Sequence, residues 1–205
     1  MEALETVSLA LGAAWASGIN LYAAVLLLGL ADAFGLYALP SELQVLASPA
    51  VLITAGILYG AEFIADKIPG FDTFWDTLHA FVRIPAGALL AAGAVADVGE
   101  TYQVVAALIV GAALAAGSHA TKAGGRAVIN TSPEPFTNWI ASIGEDVLVA
   151  GGLILAMMKP AIFLICLAVF VLLLLWLLPK LWRGIRQIVS GLSSPFRRSP
   201  RIGPD

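Results

Sequence analysis

The chain has 205 residues, 60% of them hydrophobic and 12% charged, with a mean hydropathy of +0.91. A soluble domain carries roughly 45–50% apolar and about 25% charged residues, so this composition excludes a soluble enzyme and a nucleic-acid-binding protein. The length suits one domain, and the net charge of −3 says little by itself.

Four stretches contain no Asp, Glu, Lys or Arg: 6–31, 43–61, 101–121 and 160–179. Each has about the 20 residues that a helix needs to cross a bilayer core of about 30 Å. Two shorter gaps, 84–96 and 147–158, reach that length when joined to the polar, helix-compatible runs 72–83 and 137–146 before them. The pattern predicts an all-α, polytopic transmembrane bundle of about six helices. They fall near 7–31, 45–66, 73–96, 102–124, 137–158 and 160–182, in a membrane domain spanning 1–183.

The start, Met1-Glu2-Ala3-Leu4-Glu5, is acidic where a signal peptide needs basic residues, so the first span is read as a membrane helix. The single cysteine, Cys166, falls inside the sixth span and cannot pair within the chain. His79 and His119 have no neighbours at zinc-ligand spacing. No metal and no cofactor is expected.

Orientation follows from the bases. With the C-terminus inside, every Lys and Arg except Lys159 falls on inner segments, as the positive-inside rule requires. Six spans then place both termini in the cytoplasm. The basic tail 184–205, with Arg186, Arg197, Arg198 and Arg201, is expected at the anionic inner leaflet. Its Ser- and Pro-rich end is expected to be disordered.

The two halves resemble each other. Gly12-Ala13-Ala14-Trp15-Ala16-Ser17-Gly18-Ile19-Asn20 matches Gly111-Ala112-Ala113-Leu114-Ala115-Ala116-Gly117-Ser118-His119, and Val51–Gly56 matches Val147–Gly152. Three helices per copy would invert the second copy, giving a 3+3 inverted repeat of the kind found in transporters. A competing alignment pairs helices 2–3 with 4–5 through Trp75 and Trp139, as a parallel repeat. Gly56 and Gly60 form a small-xxx-small pair suited to tight helix packing or a homodimer.

Ionisable residues inside spans are costly and mark function by default. Here they gather at the inner ends of helices 2 to 5. Tyr59, Glu62 and Asp66 share one helical face, with Lys67 just beyond. Asp72, Asp76, His79 and Arg83 form a stripe on helix 3, ending at Pro85 and Gly87. His119, Lys122, Arg126 and Asn130 form another on helix 4, with Thr121 beside them and a break expected at Gly124-Gly125. Glu134 leads into helix 5, which opens with Asn138, Ser142, Glu145 and Asp146.

These stripes predict one polar cavity, open to the inside and lined by helices 2–5. The expected pairs are Glu62 or Asp66 with Lys122 or Arg126, and Arg83 with Glu145 or Asp146, because an unpaired buried charge is costly. Ordinary helix ends are the alternative: Asp72 fits an N-cap, as do Ser132 and Thr137. In the first helix, Ser17-Gly18-Ile19-Asn20 places glycine beside an amide in mid-membrane, where a helix distortion, a close contact or a substrate contact is expected.

The residues now in view resemble a family. One signature is Glu62-Phe63-Ile64-Ala65-Asp66-Lys67-Ile68-Pro69, Asp72, Trp75-Asp76, His79, and Arg83 with Pro85 and Gly87. The other runs from His119-Ala120-Thr121-Lys122-Ala123 through Arg126 and Asn130-Thr131-Ser132-Pro133-Glu134-Pro135-Phe136 to Asn138, Ser142 and Glu145-Asp146. With Ser17–Asn20 they resemble the bacterial and plant membrane family catalogued as domain of unknown function 4126, up to about residue 180. Ile84, between Arg83 and Pro85, departs from the pattern. The resemblance implies a small polytopic inner-membrane protein and brings no activity with it.

The chemistry favours a small transporter or channel for an unknown solute, ion or lipid. Glu62, Asp66, Asp76 and His79 would relay protons or cations. Arg83, Lys122 and Arg126 would hold an anionic group or act as counter-ions. Asn20, Thr121, Asn130 and Asn138 would supply neutral hydrogen bonds. A membrane enzyme acting on a lipid head group is a second reading, although no nucleophile motif or paired-Asp metal signature is present. A non-catalytic scaffold or assembly factor is a third.

Overall fold

The computed structural model describes residues 2–68, 71–129 and 135–193, and all its regular elements are helical. They are α1 (Ala3–Ala33), a short 3-10 helix (Ser41–Ala47), α2 (Pro49–Ala65), α3 (Phe71–Val95), α4 (Thr101–Ile129), α5 (Pro135–Met158) and α6 (Pro160–Ser193). Five helices are long and apolar enough to cross a membrane, and the 3-10 helix and α2 reach that length only as a pair bent by 63°, as a broken span or a re-entrant loop would be. The chain is therefore built as a polytopic membrane bundle.

The bend corrects the continuous helix expected over 45–66. Pro49 occupies the first turn of α2, and it forces Ser48 into an extended conformation (φ −65°, ψ 140°). Two further boundaries differ. α4 runs through Gly124 and Gly125 to Ile129. Each glycine costs only about 1 kcal/mol relative to Ala, and Arg126 is anchored by ion pairs beyond them. α6 continues past residue 182 to Ser193, so part of the expected tail is helical; 194–205 lie outside the described residues.

Local chemistry sets the ends of α1. The Glu2 backbone N–H donates to the Glu5 carboxylate at 3.1 Å, which gives the acidic start a capping role. At the other end Gly35 takes φ +66°, and the Leu36 N–H donates to the Ala31 carbonyl at 2.8 Å. That is a glycine-dependent helix stop. Gly35→Ala should cost about 1–2 kcal/mol, read as a lower unfolding temperature in detergent, with Gly35→Asn costing less.

The chain divides into two compact units, Met1–Ile165 and Cys166–Asp205. In the first, α1 is the central helix and is buried on all sides from Gly12 to Ala24. Its Ala, Gly and Ser residues let neighbouring backbones approach closely, the usual basis of packing in lipid. α3 and α4 meet through Gly87 against Ala115 and Gly111 against Ala91, where an added Cβ would fall 2.6 Å from the facing one. A groove of about 760 Å³ between α1, the bent pair formed by the 3-10 helix and α2, and α3 is lined mainly by apolar residues, among them Leu21, Leu43, Leu58 and Leu90.

In the second unit, α6 exposes Val169, Leu172, Leu173, Leu175 and Trp176. The Lys180 ammonium lies 3.0 Å from the centre of the Trp176 ring, one turn away, the kind of interfacial pair that sits where hydrocarbon meets head groups.

Candidate functional site

Four helices deliver charge to one place. α2 brings Glu62 and, at its end, Asp66. α3 brings Asp72, Asp76 and Arg83, α4 brings Lys122 and Arg126, and α5 brings Glu145. All but Glu145 are buried.

Arg83 forks between two carboxylates. Its Nη2 donates to Glu62 Oε1 at 2.6 Å and its Nη1 to Asp76 Oδ1 at 2.7 Å, with all three side chains at most 2% exposed. Lys122 Nζ lies 3.2 Å from Glu62, 3.3 Å from Asp66, 3.3 Å from Asp76 and 3.4 Å from Glu145. An ammonium has three protons, so four carboxylates compete for three hydrogen bonds. Arg126 takes Glu145 in a two-pronged grip, Nε at 3.0 Å and Nη2 at 2.8 Å. It also donates to the Asp66 carbonyl at 2.9 Å and the Asp66 carboxylate at 3.2 Å. Asp72 stands 3.9 Å from its Nη1.

The expected pairing of Glu62 and Asp66 with Lys122 and Arg126 is present. That of Arg83 with Glu145 or Asp146 is not. Asp76 lies two turns before Arg83 on the same face of α3 and reaches it first, and Glu62 takes the other prong. Glu145 turns instead to α4. Asp146 turns to α1 and α2, accepting from Asn20 Nδ2 at 3.1 Å and from the Tyr59 hydroxyl at 2.8 Å.

Asn20 is where α1 breaks. Its backbone is extended (φ −146°, ψ 97°) inside an otherwise continuous helix. The Asn20 Oδ1 accepts the Ala23 N–H at 3.0 Å and so caps the second half. The half-helix end also places partial positive charge beside Asp146. His119 lies between this break and the network: it interacts with the Gly18 backbone, and its Nδ1 accepts from Arg83 Nη1 at 3.5 Å. The guanidinium can only donate, so that nitrogen carries no proton. Ser17 donates to the Arg83 carbonyl at 2.8 Å.

The stripes come together, but the open cavity they predicted is filled. Glu62, Arg83 and Lys122 occupy it with their own side chains, at most 1% exposed. Oppositely charged groups on four facing helices close on one another because solvation by water is replaced by mutual pairing.

Several sequence-derived residues go elsewhere. His79 Nδ1 donates to the Trp75 carbonyl at 2.9 Å, and its ring stacks on Trp75 and meets Tyr22 edge-on. Thr121 faces outward and donates to the Gly117 carbonyl. Lys67 donates to the Phe63 carbonyl at 3.0 Å and covers the Phe63 ring. Asn138 and Ser142 are buried on α5. Asn130 and Glu134 lie outside the described residues. Gly56 and Gly60 have open space where a side chain would be, so they do not tighten packing within the chain.

Tyr22 joins the site without having been in the sequence-derived set, and Tyr59, read on the helix-2 stripe without a role, binds Asp146. Tyr59 is one turn before Glu62, which is the signal for it; Tyr22 carries none. Tyr22 also lines the apolar groove and meets the His79 ring edge-on. Among the described residues, no three His, Cys, Asp or Glu side chains are placed to hold a metal ion.

Neither a curated protein nor a solved structure matches the chain. A family model does, over residues 7–180, a range that contains every residue of the network and of the α1 break. The chain belongs to the family described as Domain of unknown function (DUF4126).

Proposed function

We propose that this protein is a small transporter or channel of the bacterial inner membrane, with both termini and the charged network on the cytoplasmic side. The observation that carries this reading is the break in α1 at Asn20, beside Asp146 and a buried ion-pair network. A spanning helix exposes irregular backbone only where protein or a pathway supplies partners. Interrupted helices with half-helix ends at mid-membrane are how secondary transporters build their sites. Lys122, with more acceptors than protons, supports a network that exchanges partners as the protein changes state.

The 3+3 inverted repeat is part of the proposal. The two matching stretches cross where Gly18 meets Ala115 and Ser118, as they would near a pseudo-two-fold axis. α1 is the more enclosed of the two crossing helices, so the halves are not equivalent in packing. A second copy is the proposed partner, and the open Gly56–Gly60 face of α2 is the place for it.

Flux through proteoliposomes tests the reading. Under imposed ion gradients or membrane potentials, wild type should pass current or protons. Asn20→Ala and Glu62→Gln should lose most of that flux while eluting as folded protein. A folded wild type that passes nothing under any gradient would sink the proposal.

A further inference from the structure

The charges of the network do not balance. Among the described residues, five carboxylates, Glu62, Asp66, Asp72, Asp76 and Glu145, stand against three bases, Arg83, Lys122 and Arg126, all joined at distances of 2.6–3.9 Å. Two negative charges are left over. His119 does not offset them, because its Nδ1 accepts from Arg83. Lys67 and Asp146 add one charge of each sign and leave that excess unchanged: Lys67 donates to the Phe63 carbonyl and interacts electrostatically with Asp146 and Asp66, while the hydrogen-bond donors to Asp146, the Tyr59 hydroxyl and the Asn20 amide, are uncharged. Tyr22, the group that α1 contributes beside Glu62, is uncharged.

Leaving net charge in a low-dielectric site costs several kcal/mol per ion, and such sites shed it by binding a counter-ion or a proton. The unpartnered atoms show where. Glu62 Oε2, Asp66 Oδ1 and Asp76 Oδ2 are buried and have no hydrogen-bond partner among the described residues, although the other oxygen of each is paired. No three acidic or histidine side chains among the described residues are arranged to hold a metal ion. A proton needs no such cage. It needs one oxygen free of a donor, and three are present.

We propose that the membrane-embedded network holds at least one proton at neutral pH, on the trio Glu62, Asp66 and Asp76. Binding converts a carboxylate to a carboxylic acid and lowers the negative charge of the network by one; release to water restores it. Lys122 touches all three carboxylates, so loss of the proton changes which of them it must satisfy. The site therefore couples protonation to the partner exchange on which transport would depend. Only that use in coupling rests on the transport reading; proton occupancy does not.

Infrared spectroscopy of the full-length protein in lipid, in H2O and D2O, reads the carbonyl stretch of buried carboxylic acids directly. Wild type at neutral pH should show that band with the deuterium shift of an exchangeable proton. Among Glu62→Gln, Asp66→Asn and Asp76→Asn, at least one should lose it or cut it by half or more. Absence of the band in wild type overturns the proposal, and so does a band unchanged in all three variants. Stabilisation of wild type by sodium ions with no such band would assign the excess charge to a cation instead, which also overturns it. The wild-type spectrum decides the matter even if a variant fails to fold. A band with no flux in liposomes would refute transport and leave the proton site standing.

Discussion

Lys122→Met is expected to destabilise the protein by about 3–5 kcal/mol, the cost of removing one partner from a buried ion pair. The change keeps the aliphatic stem and removes only the charge. Four carboxylates within 3.4 Å of Nζ would then face each other, with Arg83 and Arg126 left to satisfy them. A thermal unfolding curve in mild detergent should shift down strongly, and much of the protein should be lost in expression. The second arm is Asp66→Asn, alone and combined with Lys122→Met. Because Asp66 contacts both Lys122 and Arg126, the double variant should be more stable than the sum of the single losses predicts. Strict additivity would show that Lys122 and Asp66 do not act as a pair, and a Lys122→Met protein as stable as wild type would contradict the network.

Gly18→Ala should be nearly as damaging. A methyl group at Gly18 would fall 2.9 Å from the Ala115 carbonyl carbon, and closer still to its oxygen and to the Ser118 hydroxyl. The obstacle is backbone of a facing helix, which cannot rotate away, so α1 and α4 must separate. Overpacking of this kind costs about 1–3 kcal/mol and sometimes more. Here the displaced contacts include the interaction of His119 with the Gly18 backbone and, through His119, the approach to Arg83. Gly18→Ala should therefore lower the unfolding temperature and weaken the proposed flux together. Gly56→Ala and Gly60→Ala meet no atom within 4 Å, and within one chain the gain in helix propensity of about 1 kcal/mol should leave them neutral or more stable. A loss at either would point to a second copy packed there.

Much of the site was legible as stripes. Glu62 with Asp66, Asp76 with Arg83, and Lys122 with Arg126 repeat at helical spacing, and spacing fixes which side chains share a face. Spacing does not say which faces meet. Arg83 is an example: nothing in the chain order favours Asp76 and Glu62 over Glu145 and Asp146. That choice follows from α3 packing against α4 through Gly87 and Gly111, and from α5 lying against α1.

The sequence by itself determined that this is a polytopic membrane protein with about six spans and charge gathered at one end of helices 2–5. Those properties depend on local composition and on the length of each apolar run. Tertiary structure alone decided that the expected cavity is filled, that the stretch expected as the second helix bends by 63° before Pro49, and that Asn20 breaks α1 against Asp146. It alone left carboxylate oxygens without partners. These outcomes depend on which opposite charges reach each other first across packed helices, and that is a matter of distance in space, not of order in the chain.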